Sequence, residues 1–181
     1  GILRALEKKG LADRVDVPAT RTQPAAHPGL NLNEEQALSV RELLSQREGF
    51  SCHLLEGVTG SGKTEVYLQI IADCLARGLQ ALILIPEIGL TPQTVARFTA
   101  RFDAEIAVLH SGLSDRQRYT AWEAARSGTA HIVIGTRSAV FTPLARPGLI
   151  VVDEEHDQSY KQQDGFRYSA RDVAVKRAQL E

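Results

Sequence analysis

The chain has 181 residues, 43% of them hydrophobic and 24% charged, with a formal net charge of −1. This suits one folded body with its own core, and it excludes a protein that grips nucleic acid by bulk electrostatics, though not one with local basic contacts. No run resembles a signal peptide or could span a bilayer, so a cytoplasmic protein without a membrane partner is expected. Cys52 and Cys74 are too few and too far apart for a disulfide framework or a metal site.

Residues 1–30 read as a short helix over ILRALEKKGL, stopped at Gly10, followed by a linker punctuated by Pro18, Pro24, Pro28 and Gly29. Residues 31–181 read as α/β. The apolar runs HLLEG, ALILIP, IAVLH, HIVIGT and LIVVDE alternate with helical stretches at 33–47, 63–77, 92–102, 115–127 and 169–179. That alternation predicts a mainly parallel sheet built from βαβ units. Several helix ends carry their own signals: Gly78 follows the second helix, Thr91 precedes Pro92, and Ser114 with Gln117 makes a capping box. Asn33 and Gln36 form a second such box. The basic residues Arg97, Arg101, Arg116, Arg118, Arg137, Lys161, Arg167 and Arg171 either converge on one face or decorate solvated helices.

Chemistry concentrates in two places. Between HLLEG and the second helix lies GVTGSGKT, in which Gly57, Gly60 and Gly62, with Thr59 and Ser61 between them, let backbone N–H groups turn inward around phosphate oxygens. The helix that follows aims its positive end at them, Lys63 reaches the β and γ phosphates, and the Thr64 hydroxyl is a ligand for Mg²⁺. The second place is the end of LIVV, where Asp153, Glu154, Glu155 and Asp157 crowd around His156. Four carboxylates repel one another unless a cation or a reaction balances them. With a phosphate loop already in the chain, Asp153 is placed to organise the Mg²⁺ shell and Glu154 to act as general base on water. Glu155 and Asp157 fit a solvated acidic turn.

The segment SYKQQDGFRY sets Tyr160, Phe166 and Tyr168 among Lys161, Arg167 and Arg171. Aromatics stack on any base and basic residues hold phosphates, so it suits single-stranded DNA; alternatively Phe166 and Tyr168 pack on the sheet edge. From these residues alone the chain reads as a DNA-dependent ATPase lobe, as another P-loop enzyme such as a small-molecule kinase with Glu154 or Asp157 at a substrate hydroxyl, or as a binding module without turnover.

GVTGSGKTEVY and DEEH occur with PEIGLTPQT at 86–94, HSGLSD at 110–115, GTRSAVFTP at 135–143 and DQSYKQQDGFRY after the acids. In that order they resemble the first RecA-like lobe of superfamily 2 helicases, and within these the primosomal helicase family that restarts stalled bacterial replication forks. The resemblance implies a P-loop NTPase lobe of three αβα layers, ATP and Mg²⁺ as cofactors, and translocation from 3′ to 5′. It implies that Gln36 reads adenine, against its alternative as a capping residue. It implies that PEIGLTPQ and GTRS line a single-strand path, with Thr136, Arg137 and Ser138 as phosphate donors, and that the aromatic-rich loop couples DNA to hydrolysis. His156 is then a relay, or only a local hydrogen-bonder.

Single-stranded and forked DNA, a second helicase lobe, a single-stranded-DNA-binding protein and primosome components are the implied partners. Zinc belongs to another part of such proteins, and none is expected here. The second lobe's arginines complete the site, so little or no turnover is expected from this lobe alone. The leading segment resembles the tail of a winged-helix region. Related lobes run on from the last helix into a further strand between the phosphate-loop strand and the acidic strand. The sequence given ends at Glu181. HLLEG and LIVVDE are therefore expected either to flank an open slot or to close together, with Asp153 displaced from Thr64 and sheet edges free for self-association.

Overall fold

The strand Gln80–Leu84 is buried along its whole length in the computed structural model, which describes residues 24–46, 49–58 and 60–181. An apolar strand buried on both faces belongs in the middle of a parallel sheet. In chain order the described elements are β1 (Ala25–Ala26), α1 (Glu34–Ser45), α2 (Lys63–Ala76), β2 (Gln80–Leu84), α3 (Pro92–Arg101), β3 (Phe102–Asp103), β4 (Ile106–Leu109), α4 (Asp115–Ser127), β5 (Ile132–Gly135), β6 (Pro147–Val152), β7 (Lys161–Gln162), β8 (Tyr168–Ser169) and α5 (Ala170–Leu180). Short 3₁₀ turns cover Arg137–Phe141 and Gln158–Tyr160.

Four strands form the main sheet in the order β4-β5-β2-β6, every neighbouring pair parallel. Side chains alternate across it with the period of a strand. Ala81, Ile83, Ile132, Ile134, Leu149 and Val151 face α2 and α3, packing on Leu68, Ile71, Leu75, Phe98 and Phe102. Leu82, Leu84, Val133, Ala107, Leu109 and Ile150 face α4 and α5, packing on Ala125, Ala170 and Ala174. The result is the expected three-layer αβα lobe.

Gln80 is the polar exception at the start of β2. Its amide nitrogen donates to the carbonyls of Ala125 (3.0 Å) and Ala130 (2.6 Å), and its carbonyl oxygen accepts from Arg146 N (2.8 Å). One buried side chain thus joins the end of α4, the approach to β5 and the start of β6. The helix ends carry the signals read from sequence. Asn33 with Gln36 and Ser114 with Gln117 form complete capping boxes, Thr91 caps α3 with Pro92 in its first turn, and Gly78 takes a left-handed φ of 72° after α2.

Several expectations need correction. HLLEG is no strand: residues 51–58 carry no regular structure, and Leu54 is 72% exposed. β6 pairs only with β2 among the described residues, and a strand without a ladder partner leaves its backbone groups to water. HLLEG therefore forms no strand that could flank a slot or pair with β6, while the edge of β6 away from β2 is unpaired among the described residues, as expected. The linker read over residues up to 30 holds β1, which pairs antiparallel with β3 through Ala25–Asp103 and Ala26–Phe102. The helix read over residues 1–10 lies outside the described residues. Of the basic residues, Arg101 is buried against Glu65 at 3.4 Å and so belongs to no exposed face, and Arg171 pairs with Glu155 at 2.9 Å.

Gln80→Ala should lower the unfolding free energy by about 3 kcal/mol, because it strands a buried N–H and a buried carbonyl and opens a cavity. Urea denaturation measures this. A loss below about 1 kcal/mol would mean that the three hydrogen bonds do not hold the sheet together.

Candidate nucleotide and DNA site

The described motifs gather at one edge of the sheet because each begins where a parallel strand ends. PEIGLTPQ starts just past β2, HSGLSD past β4, GTRS past β5 and DEEH past β6. In an open parallel sheet, ligands bind outside the carboxyl ends of the strands.

The phosphate loop meets this edge through α2. Gly60 and Gly62 take φ values of 83° and 82°, a left-handed conformation that favours glycine. A Cβ at Gly62 would also fall 2.4 Å from Gln36 Nε2, so a side chain there would displace the Gln36 amide. Gly62 caps α2 with no side-chain hydrogen bond, which leaves the first-turn N–H groups free for phosphate oxygens. Lys63 bends back onto the loop, its Nζ 2.5 Å from the Gly57 carbonyl and 3.5 Å from that of Val58. Thr59 lies outside the described residues.

Gln36 serves two neighbours together. Its Oε1 accepts from Asn33 N at 3.0 Å, completing the capping box, while its Nε2 donates to Ser61 O at 2.9 Å within the phosphate loop. The capping alternative therefore describes it in this conformation, with the added function of bracing the loop.

Asp153 sits one residue past β6, and its backbone N–H donates to Leu84 O at 2.9 Å. Oδ1 accepts from Glu154 N at 3.1 Å, and Oδ2 lies 3.5 Å from the Tyr67 hydroxyl. Burial, and next the charge of Glu154, hold the Asp153 carboxyl above the usual carboxylate range. Burial and the same carboxylate push Tyr67 up to about 12, against the opposing hydrogen bond from Thr64. A desolvated carboxylate and a hydroxyl linked through one tyrosine are hard oxygen donors, the kind Mg²⁺ takes, and a cation there would relieve the strain on the carboxylate. The donor set fits the implied metal.

Glu154 has a φ of 47°, a left-handed backbone that costs a non-glycine residue about 1 kcal/mol. The turn it makes is closed by Asp157 N donating to Glu154 O at 2.8 Å. It leaves the Glu154 side chain half-exposed, 3.7 Å from His156 Nε2. Asp157 caps the next turn by accepting from Ser159 N at 2.8 Å, and Glu155 holds Arg171. Both outer acids thus have local partners, as a solvated acidic turn requires.

The segments expected to touch DNA divide. Thr136 is 3% exposed, so its hydroxyl has no open path to a phosphate in this conformation. Arg137 spends Nη1 on the carbonyls of Ser159 (3.1 Å) and Lys161 (3.2 Å), while Ser138 stays exposed beside it. Tyr160 is corrected outright: it is 1% exposed and donates its hydroxyl to Asp153 O at 2.7 Å, so it cannot stack on a base. The free carbonyl at the end of β6 draws the phenol inward.

Phe166 remains at the surface, 80% exposed at the tip of the β7–β8 hairpin, and leans on Tyr168 with ring centres 6.1 Å apart. Tyr168 in turn meets the half-exposed Phe141 edge-on at 4.9 Å. Lys161 and Arg167 flank this cluster beside an open depression. Sequence reasoning missed two of these residues. Tyr67 could have been found three positions after Thr64, on the same helical face; Phe141 has no signal before the fold brings it to Tyr168.

The DEAD/DEAH box helicase family model matches residues 33–180. The replication restart protein PriA of Haemophilus influenzae is 60% identical over 150 residues, which cover 83% of this chain and 20% of that protein. PriA of Synechocystis is 48% identical over 186 residues, covering 99% of this chain and 22% of that protein, and PriA of Bacillus subtilis is 48% identical over 153 residues, covering 83% and 19%. The chain spans about a fifth of the length of these relatives. The family match runs from the N-cap of α1 to the last residue of α5, and the chain belongs to the DEAD/DEAH box helicase family.

Proposed function

We propose that this chain is the ATP-binding lobe of a DNA helicase that moves 3′ to 5′ and acts in primosome assembly and replication fork restart in the cytoplasm. The observation that carries the reading is the meeting of α2, the helix that follows the phosphate loop, with Asp153 through the Tyr67 hydroxyl at 3.5 Å. Among the described residues no helix is long and apolar enough to cross a membrane.

The residues divide the work by position. The α2 N-terminus and the glycine-rich loop bind phosphate oxygens through backbone N–H groups, and Lys63 leaves the Gly57 carbonyl to pair with them. Thr64 and Asp153 hold Mg²⁺, which when bound screens the phosphate charge. Glu154 stands beyond Asp153 on its left-handed turn, half-exposed and able to take a proton from water. Gln36 keeps one amide N–H and one carbonyl lone pair beyond its bonds to Ser61 and Asn33, and these are the groups that would read adenine. On the DNA side, Phe166, Tyr168, Lys161 and Arg167 form a stacking and phosphate-holding surface for single-stranded DNA, with Ser138 as a further donor. A second lobe supplies the remaining charge on the transferring phosphate, and forked DNA, a single-stranded-DNA-binding protein and primosome components are the partners that fit.

Lys63→Ala should abolish nucleotide binding, measured by calorimetry, because no other side chain of the loop is cationic. Unchanged affinity would remove the phosphate-loop assignment. Glu154→Gln in the intact protein should leave ATP binding near the original value and cut turnover by about a hundredfold or more; surviving turnover would shift the base to another acid. Phe166→Ala should bring the DNA-stimulated ATPase rate down toward the DNA-free rate, as stacking is lost. Full stimulation in that variant would leave Phe166 as a packing partner of Tyr168.

A further inference from the structure

Tyr67 follows Thr64 by three positions on α2, so both side chains lie on one helical face. Its ring lies near-parallel to that of Phe98, with centres 6.4 Å apart and an interplanar angle of 17°. Packing therefore sets the direction of its hydroxyl. That hydroxyl meets Asp153 Oδ2 from the far side of the site, at 3.5 Å.

An ionised carboxylate only accepts, so the single phenolic proton points to Asp153. Groups behind a metal ligand fix that ligand's orientation. The tyrosine thus joins the helix of the phosphate loop to residue 153, which comes from a separate motif.

We propose, resting on the nucleotide-binding reading above, that Tyr67 is a positioning residue of the metal–nucleotide site: it holds the Asp153 carboxylate toward α2. Tyr67 touches neither phosphate nor water in this role. It acts through Asp153, and its effect falls on metal-linked binding, while the loop and Lys63 carry binding of the bare nucleotide.

The test is a fluorescent ATP analogue bound to the intact protein while Mg²⁺ is titrated, with a parallel measurement in EDTA. Tyr67→Phe keeps the ring on Phe98 and removes only the hydroxyl. It should raise the half-saturating Mg²⁺ about tenfold or more and leave affinity in EDTA as it was. Placed on Asp153→Ala, the same substitution should add little, since the pair is already broken. A wild-type Mg²⁺ midpoint in Tyr67→Phe would overturn the inference. So would an equally large loss in the Asp153→Ala background, or a shift that appears only with a collapsed melting transition, since packing would then explain it. Lys63→Ala in the same assay separates the two levels. If it still binds nucleotide, the nucleotide-site reading itself fails; if it does not, and Tyr67→Phe behaves as wild type, only the role of Tyr67 falls.

Discussion

Every hydrogen-bonding group of Asp153 is engaged. Its N–H is held by Leu84 of β2, its carbonyl by the Tyr160 hydroxyl, Oδ1 by the next backbone N–H and Oδ2 by Tyr67. The partners come from four places: the neighbouring strand, the turn before the β7–β8 hairpin, the acidic turn itself and the helix of the phosphate loop. A residue fixed in this way cannot shift without disturbing all four. That makes it the junction between the helix of the phosphate loop and the β7–β8 hairpin.

The junction also sorts the aromatics. Tyr160 and Tyr168 lie eight positions apart in a segment that reads as one mixed basic and aromatic run. The fold sends Tyr160 inward to Asp153 and leaves Tyr168 outside between Phe141 and Phe166. Arg137 completes the tie by holding the carbonyls of Ser159 and Lys161 on either side of Tyr160. The turn before the hairpin is thus tied to the backbone of Asp153 through a buried phenol. His156 is mostly exposed and meets Glu154, which suits a local partner of that acid better than a relay to the hairpin.

Much of the fold was legible because its periodicities are clean. The helices begin and end within about two residues of their sequence signals, and the four strands that pair are the four most apolar runs. HLLEG misled because a strand is defined by its neighbour: the same apolar run next to a partner would pair, and beside none it stays open. In the site, backbone-driven features were readable. The glycines of the loop and the acids after β6 follow from dihedral and charge requirements that short motifs record. The direction of a side chain was not. Nothing in SYKQQDGFRY says that the first aromatic turns in and the others out, because that depends on a free carbonyl 2.7 Å away at the end of another element. Gln36 shows a third case, where two sequence readings compete and the structure joins one of them to a contact, with Ser61, that neither contained.

The energetics fit a site organised to receive a polyanion and a cation. Lys63 rests on loop carbonyls, and the Asp153 carboxyl is held above its usual range by burial with Glu154 beside it. Both groups gain from a polyanion with its cation, one by finding phosphate and the other by finding a positive partner. The most direct test is a crystal structure of the protein with a non-hydrolysable ATP analogue and Mg²⁺. The account predicts the phosphates within residues 57–64, the Lys63 ammonium withdrawn from the Gly57 carbonyl, and the metal between Thr64 and Asp153. Nucleotide bound elsewhere, or bound there with Lys63 still on the Gly57 carbonyl, would contradict it.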